Sequence, residues 1–394
     1  MNRNYAISEG LFSGAAARGA YMPKWIAWTI AVIGVVSMLV SWSGKFGQIA
    51  IGGNDFLDLY AGGKLAADPG LYNPARVSQV QLEAAGISGP AFLFSRLPAF
   101  AALLAPLARL PYRTAYFVFQ ALALLAVVLA VFIWPNREDR GAIALACCWS
   151  LPLSTAFANG QDVPFLLLWL SIVARLIDRR PALAGIVASL SMAKFHLFLL
   201  VPLWILSQKR WRFGAGLAAG VLACLAASFA LQGPGWIHRY IQLVSNPIEN
   251  TDQAVMRNLH GLCSSLGLPL AVELAMCIAV AWVVWRACRV APESAWLATL
   301  AGGLLISRHA YTQDCLILLP ALVATVRAEE KAFAVRALAG ILLLPALYLP
   351  ALTVSGPAAI LPAVMLALVV MCSVRPPVAA RPISVTATGS RTAG

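Results

Sequence analysis

The chain has 394 residues, 60% of them apolar and only 11% charged, and the apolar residues gather in runs of about 17–25, the length that crosses a bilayer core. A water-soluble globular domain is excluded, because its surface needs far more charge. The formal charge of +13 comes from 29 Lys and Arg against 16 Asp and Glu; in a soluble protein it would suit nucleic acid, but in a membrane chain it reports topology, and nucleic acid is not an expected partner.

The first apolar run, Trp25 to Trp42, follows a tail with Arg3, Arg18 and Lys24 and lacks a convincing small-x-small cleavage site, so it reads as a retained signal anchor. Further spans are expected at 113–134, 141–157, 163–178, 213–231, 268–290, 311–327, 333–352 and 356–373, with shorter or irregular helices at 97–110, 182–206 and 293–307. The fold class is therefore all-α, a polytopic transmembrane protein of about 10–12 membrane helices with a long first outer loop. One transmembrane domain covers 1–374, and 375–394, rich in Ala, Pro, Ser, Thr and Arg, reads as a disordered cytoplasmic tail.

Pro98, Pro106 and Pro111 punctuate 97–110, which leaves open whether that segment crosses fully. Basic clusters at 175–180, 209–212, 286–293 and 327–336 alternate with the neutral loops 232–267 and 307–314, and the loop 44–96 carries four basic and four acidic residues. By the positive-inside rule these three neutral loops share the outer side. Residues 182–206 have basic segments at both ends, which predicts a helix that breaks and bends back near Lys194-Phe195-His196, a device tolerated where it lines a polar cavity.

Eight cysteines lie in or beside apolar runs without CxxC spacing, so neither a zinc site nor a disulfide framework is expected. The first outer loop contains Asn54-Asp55-Phe56-Leu57-Asp58-Leu59-Tyr60. This stretch suits a short amphipathic helix on the membrane surface, with Phe56, Leu59 and Tyr60 on one side and an acid available as general base on the other. The competing reading is that Asn54 or Asp55 merely caps that helix. Asn159-Gly160-Gln161-Asp162 reads first as a tight turn between helices. Lys194 and His196 sit in an apolar stretch, where ionisable groups are costly and mark a cavity unless the lysine snorkels to a headgroup. Arg257, Asn258, His260, Arg308 and His309 add cations and imidazoles to the side that bears Asp55.

The order of Asp55-Phe-x-x-x-Tyr60, Leu71-Tyr72, Pro98, Pro106-Leu107, Gly160-Gln161, Lys194, Asn258-x-His260 and Arg308-His309 resembles glycosyltransferase family 87, over roughly residues 50 to 325. That family is a bacterial branch of the GT-C superfamily of membrane-embedded transferases that use polyprenyl-phosphate sugars. The resemblance implies inverting transfer of a sugar, typically mannose, from a polyprenyl-phosphate-sugar donor to a hydroxyl of a lipid or glycan acceptor, on the outer face of the cytoplasmic membrane. Asp55 would be the base, with Asp58 one turn away as a competitor. Lys194, Arg308 and Arg257 would hold the donor phosphate, with Arg96 as an added contact. His309 would lie near donor or acceptor, and Gln161 would line the cavity. Tyr60, His196 and His260 complete the expected substrate-binding set. No metal and no other cofactor is implied.

Two departures stand out: Phe94-Ser95-Arg96-Leu97-Pro98 replaces a Tyr-Pro-Pro-like element, and Ala310-Tyr311 follows His309 where a second His would make a pair. Two other classes remain open from the residues alone. Broken helices with charges at depth also build transporters or flippases, and a non-catalytic subunit of envelope polysaccharide assembly would retain the same fold.

Overall fold

The structure, a computed structural model, describes residues 24–86, 92–245, 256–352 and 359–374. The expected disordered tail at 375–394 and the tail before the first span lie outside them. Among the described residues every regular element is helical: α1 Lys24–Ser41, α2 Phe46–Ile51, α3 Phe56–Lys64, α4 Pro74–Ala85, α5 Pro98–Ala108, α6 Tyr112–Ile133, α7 Arg140–Trp149, α8 Leu151–Ala158, α9 Val163–Leu176 and α10 Pro181–Ala188. A 3-10 segment, Ser189–Phe198, then leads to α11 Val201–Gln208, α12 Trp211–Gln232, α13 Trp236–Val244, α14 Leu259–Ser265, α15 Leu270–Val290 and α16 Ala295–Ile306. A second 3-10 segment, Thr312–Leu318, precedes α17 Leu319–Arg327, α18 Phe333–Leu343, α19 Pro345–Tyr348 and α20 Ile360–Cys372.

Five helical stretches are long and apolar enough to cross a bilayer: Lys24–Lys64, Tyr112–Ile133, Pro181–Phe198, Trp211–Gln232 and Leu270–Val290. The pair Arg137–Trp149 and Leu151–Ala158, bent by 57°, makes a sixth. Large apolar side chains such as Phe117, Phe132, Leu222, Ile278 and Trp282 are exposed on these helices, as lipid-facing residues are. The chain is a multi-pass helical membrane protein. Two of the expected spans form shorter helices, α9 with 14 residues and α18 with 11, and α5 is short as expected. The 11 residues of α5 rise only about 16 Å, because Pro98 opens the helix, Pro106 interrupts it and Pro111 follows its end.

The expected break in 182–206 is present: Lys194 has φ −132° and ψ 55° inside the 3-10 segment. Both ends of this stretch sit at the same end of the bundle. Arg210 pairs with Asp178 at 3.1 Å, and a Cβ on Gly216 would lie 1.9 Å from the carbonyl oxygen of Ala182. The chain therefore runs inward along α10, turns at Lys194 and returns along α11.

The surface amphipathic helix expected at Asp55–Tyr60 is not what forms. All of Phe56–Gly63 in α3 is buried. Its Phe56 ring packs against Tyr112, Tyr116 and Phe119 of α6 at 5.7, 5.5 and 4.9 Å. Gly62 and Gly63 let Phe94 and the backbone of α5 approach from the other side. The lone helix has a lipid-like side chain pattern, but neighbours from α5 and α6 cover both faces.

α10 and α12 touch backbone to backbone through Gly185, Gly216 and Gly220, the close approach that small residues permit in membranes. Gly216→Val is expected to destabilise the protein by about 1–3 kcal/mol or more through overpacking, read as a lowered thermal midpoint in detergent. Gly47→Ala, where an added Cβ meets nothing within 4 Å, should leave the midpoint unchanged.

Candidate active site

The turn between α8 and α9 anchors the site. Gly160 adopts φ +64°, open to glycine without strain, and a Cβ there would lie 2.6 Å from Asn54 Oδ1 and 2.9 Å from Phe56 Cβ. The loop that carries Asp55 is latched onto this turn: Asn54 Nδ2 donates to the Ala158 carbonyl at 2.9 Å, and the Asp55 amide donates to the Asn159 carbonyl at 3.1 Å. Asn54 Oδ1 accepts from the Phe56 amide at 3.2 Å, so Asn54 does the local turn work. Asp55 stands at the N-cap position of α3 without a capping bond. Its Oδ2 accepts instead from Gln161 Nε2.

Gln161 Oε1 in turn accepts from Lys194 Nζ at 2.9 Å. Lys194 Nζ also donates to Asp314 Oδ1 at 2.8 Å and lies 3.7 Å from Asp162 Oδ1. Asp314 is held by its own backbone neighbourhood, its Oδ2 accepting from the Tyr311 amide at 2.8 Å. Arg96 completes the network, with Nε on Asp162 Oδ2 at 2.8 Å and NH1 on Asp58 Oδ2 at 3.1 Å. Asp58, Arg96, Asp162, Lys194 and Asp314 thus alternate in sign through buried space, and Asp55 joins through Gln161. Burial makes each of these ions dependent on its partners.

The imidazoles form a second group. The His196 and His309 rings are 5.9 Å apart, and His309 and Tyr311 are 5.0 Å apart, both edge to face. His309 lies in the loop after α16, where burial pushes its imidazole down to about 4, aided by the Lys194 charge; at neutral pH it is an uncharged donor and acceptor. Asn258 caps α14 and ties it to this loop, with Oδ1 accepting from the Gly261 amide and Nδ2 donating to the Ser307 carbonyl, both at 2.8 Å. His260 Nδ1 meets both Glu273 carboxylate oxygens at 3.1 Å. Glu273 also lies 3.6 Å from Arg308 Nε, and the Arg308 side chain is 68% exposed.

Most of the residues singled out from the sequence are brought together. Asp55, Asp58, Arg96, Gln161 and Lys194 share one network, His196 and His309 adjoin it, and His260 and Arg308 meet at Glu273. Arg257 is buried, with NH2 donating to the Pro350 carbonyl at 3.0 Å. Tyr60 lies elsewhere, in the aromatic cluster, its hydroxyl donating to the Leu110 carbonyl at 2.8 Å. Three acids were missed. Asp162 was read only as part of a turn, and Asp314 and Glu273 were not singled out. Each had a signal, an unscreened carboxylate at the edge of an apolar run. Among the described residues no group of three or more His, Cys, Asp and Glu side chains is arranged to hold a metal ion.

The fold and the buried charges define a multi-pass helical membrane protein with a polar site between its helices. The sequence profile of glycosyltransferase family 87 matches residues 97–312, more than half of the chain. The chain belongs to glycosyltransferase family 87, and is a membrane glycosyltransferase. The match begins at Leu97, so Asp55 and its loop lie before it. No curated protein matches the chain, and no solved structure does.

The two kinds of cation separate by stability. Arg96→Met strands Asp58 in buried space and leaves Asp162 with only the longer Lys194 contact, at a cost of about 3–5 kcal/mol, and should lower the thermal midpoint sharply. Arg308→Gln removes a long contact from an exposed cation, worth about 0–1 kcal/mol, while buried Glu273 keeps His260, and should leave the midpoint nearly unchanged.

Proposed function

We propose that the protein transfers a sugar, mannose or another hexose, from a polyprenyl-phosphate donor to an acceptor hydroxyl, with inversion and with Asp55 as general base. The reading places the reaction on the outer face of the cytoplasmic membrane, because the loops that carry Asp55, His260 and Arg308 are the neutral ones. The observation that carries it is the setting of Asp55. Gln161 holds one oxygen, Oδ2, and no other hydrogen bond from the described residues reaches the carboxylate.

In this mechanism the acceptor O–H gives its proton to Asp55 Oδ1 as the oxygen attacks the anomeric carbon. The bond from that carbon to the phosphate oxygen breaks, and polyprenyl phosphate leaves with the electron pair. A base within hydrogen-bond reach of the attacking hydroxyl contributes about 10²–10⁴ in rate. The phosphate gains charge as it leaves, so cations and N–H donors stabilise the transition state more than the ground state. Arg308 is the exposed cation for this role, with neutral His309 and the Glu273-bound His260 as nearby donors. Arg96 and Lys194 are already matched by carboxylates and act at longer range, on the position of the acid network. Asp58 is engaged by Arg96, which favours Asp55 over it as base.

The test is transfer of radiolabelled sugar from polyprenyl-phosphate-mannose, and from other polyprenyl-phosphate sugars, in membranes carrying the wild type or Asp55→Asn. Wild-type transfer with at least a hundredfold loss in a normally inserted Asp55→Asn is expected, about the scale of general-base loss. Equal transfer by both would remove Asp55 from the role. Absence of transfer with every donor would overturn the donor class.

A further inference from the structure

From the contacts of the turn after α8, we infer that Gln161 is a positioning residue for Asp55, orienting the carboxylate through an amide clamped by the Lys194–Asp314 ion pair. The inference rests on the reading of Asp55 as base. It assigns to Gln161 a role distinct from lining the cavity.

The orientation of the Gln161 amide follows from chemistry. An ammonium group only donates and an ionised carboxylate only accepts. With Lys194 Nζ on one end and Asp55 Oδ2 on the other, Oε1 must face the lysine and Nε2 the aspartate. The reverse orientation would set two donors and two acceptors against each other. An amide bonded at both ends is polarised, and each bond strengthens the other.

Every neighbour of this amide is itself held. The Gln161 backbone amide donates to the Ala156 carbonyl at 2.9 Å, and the turn before it has the positive φ of Gly160. Lys194 is fixed at the break of the inward-turning segment by Asp314 at 2.8 Å, and Asp314 is fixed by the Tyr311 amide at 2.8 Å. The chain Asp314, Lys194, Gln161, Asp55 therefore joins four separate stretches of sequence in one line of hydrogen bonds. It ends on a carboxylate that takes no other hydrogen bond from the described residues, which leaves its second oxygen for a substrate proton. A base held in one rotamer is ready for reaction, whereas a misplacement of about 1 Å costs about 10² in rate.

Two variants and two readouts test this on the full chain in nanodiscs. Gln161→Met keeps the side-chain length and removes both bonds. Gln161→Glu keeps the Lys194 contact, but when ionised it has no proton to donate to Asp55. With polyprenyl-phosphate-mannose, or whichever polyprenyl-phosphate sugar the wild type uses, Gln161→Met should lower kcat at least tenfold while KM for donor stays within twofold. Activity of Gln161→Glu relative to wild type should rise as pH falls, because a protonated Glu at position 161 regains a donor; Gln161→Met should show no such rise. An unchanged kcat, or a change in KM alone, would overturn the inference and leave Gln161 as a cavity wall.

The second readout needs no substrate. The infrared carboxylate band of Asp55, identified as the one that Asp55→Asn removes, should shift in Gln161→Met. An unmoved band would overturn the inference even in an inactive preparation. Retained transfer by Asp55→Asn would instead defeat the base assignment, so the two failures are distinguishable.

Discussion

Arg96 and Lys194 are buried between helices, and the helices around them are arranged so that neither charge is left alone. The desolvation penalty is several kcal/mol for each ion and is offset only by close, well-aligned partners. Arg96 therefore draws Asp58 of α3 and Asp162 at the start of α9 to within hydrogen-bond range, and Lys194 draws Asp314. Five stretches far apart in sequence meet at these contacts: α3, the approach to α5, the turn before α9, the inward-turning segment and the 3-10 segment after α16. The alternation of signs makes the network a structural keystone as well as a source of field for Asp55.

The loop that carries Asp55 is drawn into the bundle by a different force. Phe56 enters the cluster of Tyr112, Tyr116 and Phe119, and glycines at 62, 63 and 160 remove the side chains that would hold its backbone away. The aromatic cluster supplies apolar burial and the Asn54 contacts supply register. Asp55 is thereby delivered to Gln161 with its backbone already fixed. A loop that reads as polar and external thus forms an inner wall of the site, and α3 is more core than surface.

The inward-turning segment does the corresponding work from the other side. α10 packs on α12 through glycines close enough to bring backbones together, and the helical path breaks at Lys194. The break frees the lysine from a regular helix face, and its long side chain reaches three acceptors on other elements. Such irregular backbone at membrane depth is stable where protein surrounds it.

Membrane class, helical fold and family were readable from the sequence, because long apolar runs permit few structures in a bilayer and the order of short motifs over roughly residues 50 to 325 resembles the family whose profile matches 97–312. The break at Lys194 was readable too, from basic residues on both sides of an apolar stretch. The partners were not. That Asn54 rather than Asp55 does the turn work, that α3 is buried, that Arg96 and Lys194 are matched by Asp162 and Asp314, and that Glu273 joins His260 to Arg308 all depend on contacts between residues tens to more than a hundred positions apart. Sequence patterning determined which residues are costly to bury; only the tertiary structure decided which opposite charge meets each one, because desolvation sets the need for a partner while packing sets its identity.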